Sequence, residues 1–214
     1  SSTSRGLGDV YKRQQFILGD PPNYEPGKED SIAALAKSKG IAELEVIYDE
    51  FLKNEGTNLV YACFTPYDNH KLDFVERAYS LKSSVAGGSD GGAHCGLICD
   101  ASMPTTNLSH WARDREAGKK IPIELIVRKQ TKDTAETYGL FDRGEIKTGM
   151  LADLNIIDFE KLNVTHPKMV YDLPLGGRRL IQTSSGYLAT VKSGEVVYEA
   201  CLLYTSPSPR DVEE

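Results

Sequence analysis

The chain has 214 residues, of which 40% are hydrophobic and 26% charged, and its formal net charge is −6 at pH 7. This is the composition of an ordinary globular protein and excludes a disordered or fibrous chain. The negative charge disfavours a nucleic acid or an anionic membrane as partner and favours a small-molecule substrate. No apolar run approaches the roughly 20 residues that span a bilayer, and the start lacks a secretory signal, so the cytoplasm is the expected compartment.

In chain order, residues 1–14 come first and resemble a translated sequencing-adapter tail, as do residues 201–214, so we predict that both are non-native. The first predicted helix runs from Asp30 to Gly40, with Asp30 or Ser31 as its cap and Gly40 as its stop. A second helix is predicted from the helical spacing of four apolar residues, Leu44, Ile47, Tyr48 and Phe51.

The middle of the chain alternates strand and helix patterns. Residues 58–64 (NLVYACF) form an apolar run rich in β-formers, which predicts a buried strand. Asn69 then caps a helix, residues 84–88 (SVAGG) form a short strand candidate, and further helices are predicted over 105–115 and after Pro122. Because strands and helices alternate, we predict parallel βα units over residues 15–140.

Beyond Leu140 the pattern changes to short β-like runs separated by Gly, Pro and Asp turns. These runs lie at 151–158, 187–191 and 195–198. We therefore predict a small β-rich segment over residues 141–200.

A glycine-rich stretch, GGSDGGAH at 87–94, places Asp90 and His94 among four glycines. In βα architectures the functional groups lie at the carboxyl ends of strands, and glycines let a ligand approach the backbone closely. Asp90 could there bind a metal or take a proton from a metal-bound water. The same Ser-Asp-Gly-Gly pattern is also ordinary turn chemistry, in which the aspartate accepts backbone hydrogens. The spacing alone leaves both interpretations open.

Three longer stretches resemble the amidohydrolase superfamily, and specifically its N-acyl-D-amino-acid deacylase (D-aminoacylase-like) group. They are GGSDGGAHCGLICDASMPTTNLSHWARDR at 87–115, IPIELIVRKQTKDTAETYGLFDRGEIKTGMLADLNIIDF at 121–159 and DLPLGGRRLIQTSSGYLATVKSGEVVYE at 172–199. The run GLFDRGEIKTGMLADLNIID resembles the exit from the barrel of these enzymes into their small β domain. The resemblance implies an α/β fold: the C-terminal part of a metal-dependent hydrolase (β/α)8 barrel over 15–140, followed by part of a small β-sandwich domain over 141–200.

The resemblance also implies a reaction and a cofactor. In that family the aspartate after the eighth barrel strand is the metal-associated general base, and by match of motif this is Asp90. The full-length enzyme would use one or two zinc ions to hydrolyse N-acyl-D-amino acids or similar linear amides. The family's His-x-His pair and later metal-binding histidines have no counterpart here, where the histidines are His70, His94, His110 and His166. A single carboxylate does not hold zinc, so we expect this fragment to bind no metal and to be inactive in isolation.

Three further residues are candidates for substrate binding, each with an alternative. His94 follows Asp90 by four residues and could line the substrate pocket, or make only local hydrogen bonds. Arg113 could grip a substrate carboxylate through two parallel hydrogen bonds, although surface ion pairing of Arg113 or Arg115 with a neighbouring acid is the commoner outcome. Tyr61, at the end of the preceding strand, faces the same rim in principle or packs in the core.

Two other functions remain open from the sequence. One is a cyclic-amide hydrolase of the hydantoinase or dihydroorotase kind, and the other is a barrel that has lost catalysis and serves as an interaction scaffold. For the leading hypothesis we expect a small-molecule amide as partner, no nucleic acid and no membrane, and the sequence is compatible with an oligomer.

Overall fold

The computed structural model describes residues 14–63, 67, 70–87, 89, 96–97 and 100–200. Over these residues the chain is a mixture of short helices and strands, so the predicted mixed character is confirmed. The two tails predicted to be non-native lie outside the described residues, apart from Gln14. Their origin therefore stays a prediction.

Two helices follow the first strand. Helix α1 (Ile32–Lys39) begins at Ser31, whose hydroxyl accepts a hydrogen bond from Ala34 N at 3.2 Å, and ends at Gly40 with a φ of 68°. A hydroxyl at the start and a glycine in the left-handed region at the end are favoured helix boundaries. Ser31 was one of the two caps predicted, and Gly40 was the predicted stop. Helix α2 (Glu43–Phe51) is also confirmed.

The apolar stripe that predicted α2 is not the face that the helix buries. Three of its four residues are exposed: Leu44, Tyr48 and Phe51. Helix α2 instead buries Val46 and Glu50. The Glu50 carboxylate accepts hydrogen bonds from Lys53 Nζ at 2.6 Å and Asn58 Nδ2 at 2.5 Å, which offsets its loss of hydration.

The first sheet is a two-stranded ladder. Strand β2 (Leu59–Ala62) confirms a strand within the stretch predicted over 58–64, although its residues are half-buried rather than buried. It pairs with β1 (Gln15–Leu18), which the sequence did not predict, and Phe16 lies opposite Tyr61. The predicted parallel βα units are not found among the described strands, where every pairing is antiparallel and residues 84–87 belong to no strand. The physical reason is that α1 and α2 lie between β1 and β2 and pack on each other through Ile32, Ala36 and Val46. The chain therefore comes back as β2 beside β1 in the opposite direction.

The described chain then forms further α-helices and a π-helix. They are α3 (Asp73–Ser80), α4 (Met103–Thr106), which continues directly into a π-helix (Asn107–Asp114), α5 (Ile123–Gln130) and α6 (Lys132–Thr137). The helix predicted over 105–115 is thus partly a π-helix, while Asn69, the predicted cap of α3, lies outside the described residues. None of the described helices is long and apolar enough to cross a bilayer.

The main core lies between α3, the π-helix, α5 and the loop that precedes β4. Its buried members are Leu108, Trp111, Ile121, Ile126 and Leu162. Leu72 packs against this cluster and also against a second one formed by Phe16, Cys63 and Tyr67. The two clusters therefore adjoin at the start of α3.

The last part of the described chain is built of short strands. They are β3 (Leu154–Ile157), β4 (Asn163–Val164), β5 (Lys168–Leu173), β6 (Gly177–Ile181), β7 (Ser184–Ser185), β8 (Tyr187–Lys192) and β9 (Glu195–Glu199). Strands β3, β8 and β9 form one antiparallel sheet, and they confirm the strands predicted at 151–158, 187–191 and 195–198. Strands β5 and β6 form a separate ribbon, and β4 pairs with β7.

Candidate functional site

The two residues at the centre of the predicted site, Asp90 and His94, lie outside the described residues. The structure describes the chain on both sides of them, namely residues 84–87 and 89 before, and 96–97 and 100 after. The described part of the site therefore consists of the elements that precede and follow Asp90 in the chain.

A buried lysine fixes the chain before Asp90. Lys129 of α5 is only 3% exposed, and its Nζ donates hydrogen bonds to Leu81 O at 2.7 Å and to Ser84 O. The Ser84 hydroxyl donates to Leu81 O at 3.0 Å, which closes the same turn. Asp133 Oδ2 lies 3.7 Å from the ammonium and balances its charge. The turn after α3 is thus anchored to α5 at the point where the chain leaves for Asp90.

An apolar cavity adjoins the same segment. Its volume is about 370 Å³, and its lining comes from α3, from α4 and the π-helix, from Lys129 and from residues 84–87. A volume of this size is within the range that small-molecule sites occupy.

The chain after the glycine-rich stretch is joined to the strands at the end of the described chain. Ser102 Oγ donates to Gln182 Oε1, and Gln182 Nε2 donates to Tyr24 OH at 2.7 Å. A second link joins Thr105 Oγ1 and Tyr187 OH at 2.8 Å. These bonds attach the segment that begins α4 to the residues beyond β6 and at the start of β8.

Arg113 uses its guanidinium within the fold. It donates to both carboxylate oxygens of Asp114, at 2.7 and 2.8 Å, and to the carbonyls of Phe159 and Leu162. The hydrogen bond from Arg113 also holds the pKa of the Asp114 carboxyl below its usual range. This arrangement is the surface ion pair that was the alternative for Arg113. It leaves no parallel pair of donors directed at a ligand among the contacts described.

Tyr61 packs in the cluster of β1 and β2. Its ring meets that of Tyr24 edge to face at 5.5 Å, and its hydroxyl donates to Tyr24 O at 3.4 Å. Burial raises the pKa of Tyr61 and also that of the neighbouring Cys63 thiol. Tyr61 and Arg113 thus belong to different packing groups, and substrate binding by either of them stays a prediction.

A buried ion pair that the sequence did not reveal joins Arg115 and Glu25. Arg115 is 1% exposed, and its Nε and Nη2 donate to the two carboxylate oxygens of Glu25 at 2.9 and 2.8 Å. Nη2 also donates to Asp73 Oδ1 at 2.7 Å, Nη1 donates to Lys119 O at 2.6 Å, and the group lies 4.6 Å from the Trp111 ring. Arg115 therefore lies in a buried ion pair, whereas Arg113 forms the surface pair with Asp114.

Glu25 is held in its charged form by this pair. Burial alone would raise the pKa of its carboxyl, but the surrounding charged and polar groups, Arg115 first among them, outweigh burial and lower it to about 2. The bond from Leu72 N measures 2.8 Å, whereas His110 Nε2 lies 3.4 Å from the carboxylate in a geometry too poor for a good hydrogen bond. We therefore assign most of the stabilisation to Arg115 and Leu72. The cluster joins the loop before α1 to the start of α3 and the end of the π-helix.

One signal in the sequence could have pointed to Arg115. Trp111 and Arg115 are four residues apart, so a helical segment places them on the same face, where a cation can lie over an aromatic ring. No local signal pointed to Glu25, which is 90 residues away in the chain.

A metal site is not found among the described residues. Over residues 14–63, 67, 70–87, 89, 96–97 and 100–200, no three His, Cys, Asp or Glu side chains come together in a group that could hold a metal ion. Structural and catalytic zinc sites require three or four such ligands. The described residues therefore do not fit a zinc centre.

Comparison with known proteins identifies the class to which this mixed helix and strand fold belongs. The model of the amidohydrolase family matches residues 22–198, a range that includes the glycine-rich stretch and the strands after residue 140. The chain belongs to the amidohydrolase family, as the sequence predicted. Among curated proteins no significant match was found.

Three solved structures are similar to the chain, and all are of D-aminoacylase. One concerns the functional role of a binuclear metal centre, with 22% identity and a TM-score of 0.42, and another is a crystal structure that defines a novel subset of amidohydrolases, with 22% and 0.41. The third is an aspartate-to-alanine mutant in complex with copper chloride, with 21% and 0.40. Each match covers 87% of this chain, which spans 35% of the length of the D-aminoacylase chains.

Proposed function

We propose that the protein containing this chain is a zinc-dependent amidohydrolase that hydrolyses the amide bond of N-acyl-D-amino acids or similar linear amides. The observation that carries the proposal is the family match over residues 22–198, which spans Asp90 and the motif around it. In this proposal residues 15–140 are the C-terminal part of a (β/α)8 barrel and residues 141–200 are part of a small β domain. The compartment is the cytoplasm.

In the proposed reaction Asp90 is the general base. Its carboxylate accepts a proton from the hydrolytic water as the water oxygen bonds to the carbonyl carbon. The C–N bond then breaks, and the proton passes to the leaving nitrogen, which departs as an amine while the acyl group becomes a carboxylic acid. Proton transfer by a positioned side chain of this kind contributes about 10²- to 10⁴-fold in rate.

Zinc would supply a water of lowered pKa and would polarise the carbonyl. Because the described residues do not fit a zinc centre, we assign none of them as a ligand and derive no step through the metal. Asp90 is the metal-associated residue in this proposal, and the remaining ligands would lie elsewhere in the full-length protein. We propose that the 214-residue chain alone is inactive for this reason. Substrate binding by His94, Arg113 and Tyr61 is part of the same proposal.

The described residues contribute support for Asp90 rather than chemistry. Lys129 holds the turn before it, and the bond between Ser102 and Gln182 holds the chain after it. We propose that these two anchors support the segment that carries Asp90, because efficient proton transfer requires a positioned base.

The test is made on the complete protein that contains this chain. Purified wild type and Asp90→Asn are assayed with zinc for release of D-amino acid from N-acetyl-D-leucine, and we expect kcat to fall by about 10²- to 10⁴-fold in the variant. Asp172→Asn is the matched control, because Asp172 is an exposed carboxylate paired with Arg179, and it should keep full activity. Undiminished hydrolysis by Asp90→Asn would refute the assignment of the base.

The same experiment separates the two other functions. Wild-type activity on hydantoin or dihydroorotate without activity on linear amides would favour a cyclic-amide hydrolase. Activity on neither substrate class, with zinc present, would favour a scaffold. Activity of the isolated 214-residue chain would refute its proposed inactivity.

A further inference from the structure

The apolar cavity beside residues 84–87 is lined by two helical segments. Helix α3 contributes Val75 and Ala78 to its lining, and the π-helix contributes Asn107 and Trp111. These residues all belong to the described part of the chain. With a volume of about 370 Å³ and a mostly apolar lining, the cavity has the character of a small-molecule pocket, in which a few polar groups fix the orientation of the ligand.

A buried amide on this lining lacks a hydrogen-bond partner within the part of the chain that the structure describes. Asn107 is only 8% exposed, and its side-chain amide takes part in none of the described hydrogen bonds. Burying an amide without a partner is unfavourable, and native proteins pair nearly all such groups. An unpartnered amide that lines a cavity therefore indicates a partner that occupies the cavity.

Two aromatic residues of the same lining carry further hydrogen-bond donors. Trp111 has an indole N–H and Tyr79 has a hydroxyl, and neither group is used in the hydrogen bonds of the described residues. Burial raises the pKa of Tyr79 to about 12, so its hydroxyl stays neutral and able to donate. Asn107 and Trp111 lie four residues apart on the π-helix, an element that often occurs at functional sites. The polar groups of the cavity are thus concentrated near this helix.

The charge around the cavity favours a neutral ligand. Lys129 also lines it, but its ammonium donates to Leu81 O and Ser84 O and lies 3.7 Å from the Asp133 carboxylate. These partners use its donors and offset its charge, so an anion in the cavity would lose its hydration without gaining an ion pair. The amide, indole and hydroxyl groups described above all offer N–H or O–H donors, so a carbonyl oxygen is the matching group on the ligand.

We propose that this cavity binds a neutral small molecule that has an aromatic body and one carbonyl oxygen, and that the oxygen accepts a hydrogen bond from the Asn107 amide. The apolar lining, with Val75, Ala78 and Met103, holds the body of the ligand, and the Trp111 ring packs against it. Asn107 fixes the orientation. This binding site goes beyond the proposed hydrolysis and does not depend on it.

The test uses three probes of similar size and the complete protein that contains this chain. They are acetophenone, α-methylstyrene, in which a CH2 group replaces the carbonyl oxygen, and benzoate, which carries a negative charge. None of them has an amide bond, so binding is measured whether or not the protein hydrolyses amides. Dissociation constants are measured by isothermal titration calorimetry. We expect the wild type to bind both neutral probes and not benzoate.

Three variants locate the bound probe. Asn107→Leu should raise the Kd of acetophenone about 3- to 10-fold, the effect of one neutral hydrogen bond, and should leave the Kd of α-methylstyrene unchanged or lower. Ala78→Phe places a ring in the cavity and should abolish binding of both neutral probes. Asn155→Leu is the matched control, because Asn155 is an exposed asparagine on β3, and it should bind both probes like the wild type.

Several outcomes would overturn the proposal. One is that the wild type binds neither neutral probe, or binds benzoate as tightly as acetophenone. Another is that Ala78→Phe binds like the wild type, because the probes would then lie elsewhere in the protein. Equal weakening of both neutral probes in Asn107→Leu would rule out the hydrogen bond from the amide. If circular dichroism shows that Asn107→Leu does not fold, Asn107→Ala takes its place with the same expectation. Failure of the proposed hydrolysis changes none of these binding results, so the two proposals are tested separately.

Discussion

The ion pair between Arg115 and Glu25 gives the most quantitative prediction. Glu25→Gln keeps the shape of the side chain but removes its charge and places an amide NH2 near the Arg115 donors. The Glu25 side chain is 1% exposed, so water does not replace the lost interaction. Removing one partner of a buried pair costs about 3–5 kcal/mol in the free energy of unfolding. We expect the lower end of this range, because Arg115 keeps its bond to Asp73.

The lowered pKa of Glu25 leads to a similar value for the free energy of unfolding that its charge contributes. Folding lowers it from 4.5 to about 2. At about 1.4 kcal/mol per pKa unit, the charged form contributes about 3 kcal/mol to the stability of the native state. Because the folded pKa is the lower one, this contribution is complete above pH 4.5 and is lost as the pH falls towards 2. Glu25→Gln should remove this part of the acid sensitivity.

The measurement is urea unfolding of the full chain between pH 7 and pH 3. Far-ultraviolet circular dichroism follows the backbone, and fluorescence follows Trp111, the single tryptophan, whose ring lies 4.6 Å from the Arg115 guanidinium. Glu29→Gln is the matched control, because Glu29 is an exposed carboxylate next to the same loop, and it should change stability by less than about 0.5 kcal/mol.

Either of two outcomes would refute this reasoning. The first is a loss in Glu25→Gln no larger than that in Glu29→Gln, and the second is an identical pH dependence in Glu25→Gln and wild type. A further variant tests whether the cost arises from an unpaired charge. Glu25→Leu combined with Arg115→Met should recover most of the stability lost in Glu25→Gln, since an apolar pair of similar volume leaves no buried charge.

Two further predictions concern stability and are also checked by urea unfolding. Gly186→Ala should cost roughly 2–4 kcal/mol, because φ is 91° and a Cβ would lie 2.6 Å from Leu162 Cα, whereas Gly194→Ala, at a φ of 86° with open space, should cost only about 1 kcal/mol. Equal losses of stability in the two variants would show that the positive φ alone, and not the contact with Leu162, sets the cost. Lys129→Met should cost about 2–4 kcal/mol by leaving two carbonyls of the turn after α3 without their donor, while Arg128→Met, at a side chain 65% exposed, should be close to neutral. A neutral Lys129→Met would contradict the anchoring role.

The elements that the sequence predicted well are those with local signals. Ser31 and Gly40 delimit α1 through contacts within a few residues, so the boundary was readable. The buried face of α2 could not be predicted from the sequence, because helical spacing identifies an apolar stripe but not the surface on which the helix packs. Val46 faces α1, and Glu50 is buried because Asn58 and Lys53 satisfy it, which no periodicity indicates.

The pairing of strands was also beyond the sequence. Alternating strands and helices favour parallel units only when each helix crosses over to the next strand. Here two consecutive helices pack on each other between β1 and β2, so the chain returns and the strands pair antiparallel. The π-helix is a similar case. Its composition is typical of any helix. The hydrogen bond from Arg115 N to His110 O, five residues earlier, marks it as a π-helix and is seen only in the structure.

For the site, the motif around Asp90 was the most that the sequence could supply. Which arginine is free to meet a substrate depends on partners that are far away in the chain. Arg113 was a candidate for binding a substrate carboxylate, with surface ion pairing as the alternative; its donors meet Asp114 and two carbonyls, and those of Arg115 meet Glu25. On β6, Arg179 donates to both carboxylate oxygens of Asp172, a pairing that no local pattern indicated. Whether an arginine keeps unused hydrogen-bond donors depends on the fold, because every arginine side chain carries the same five N–H donors and packing decides which of them find partners.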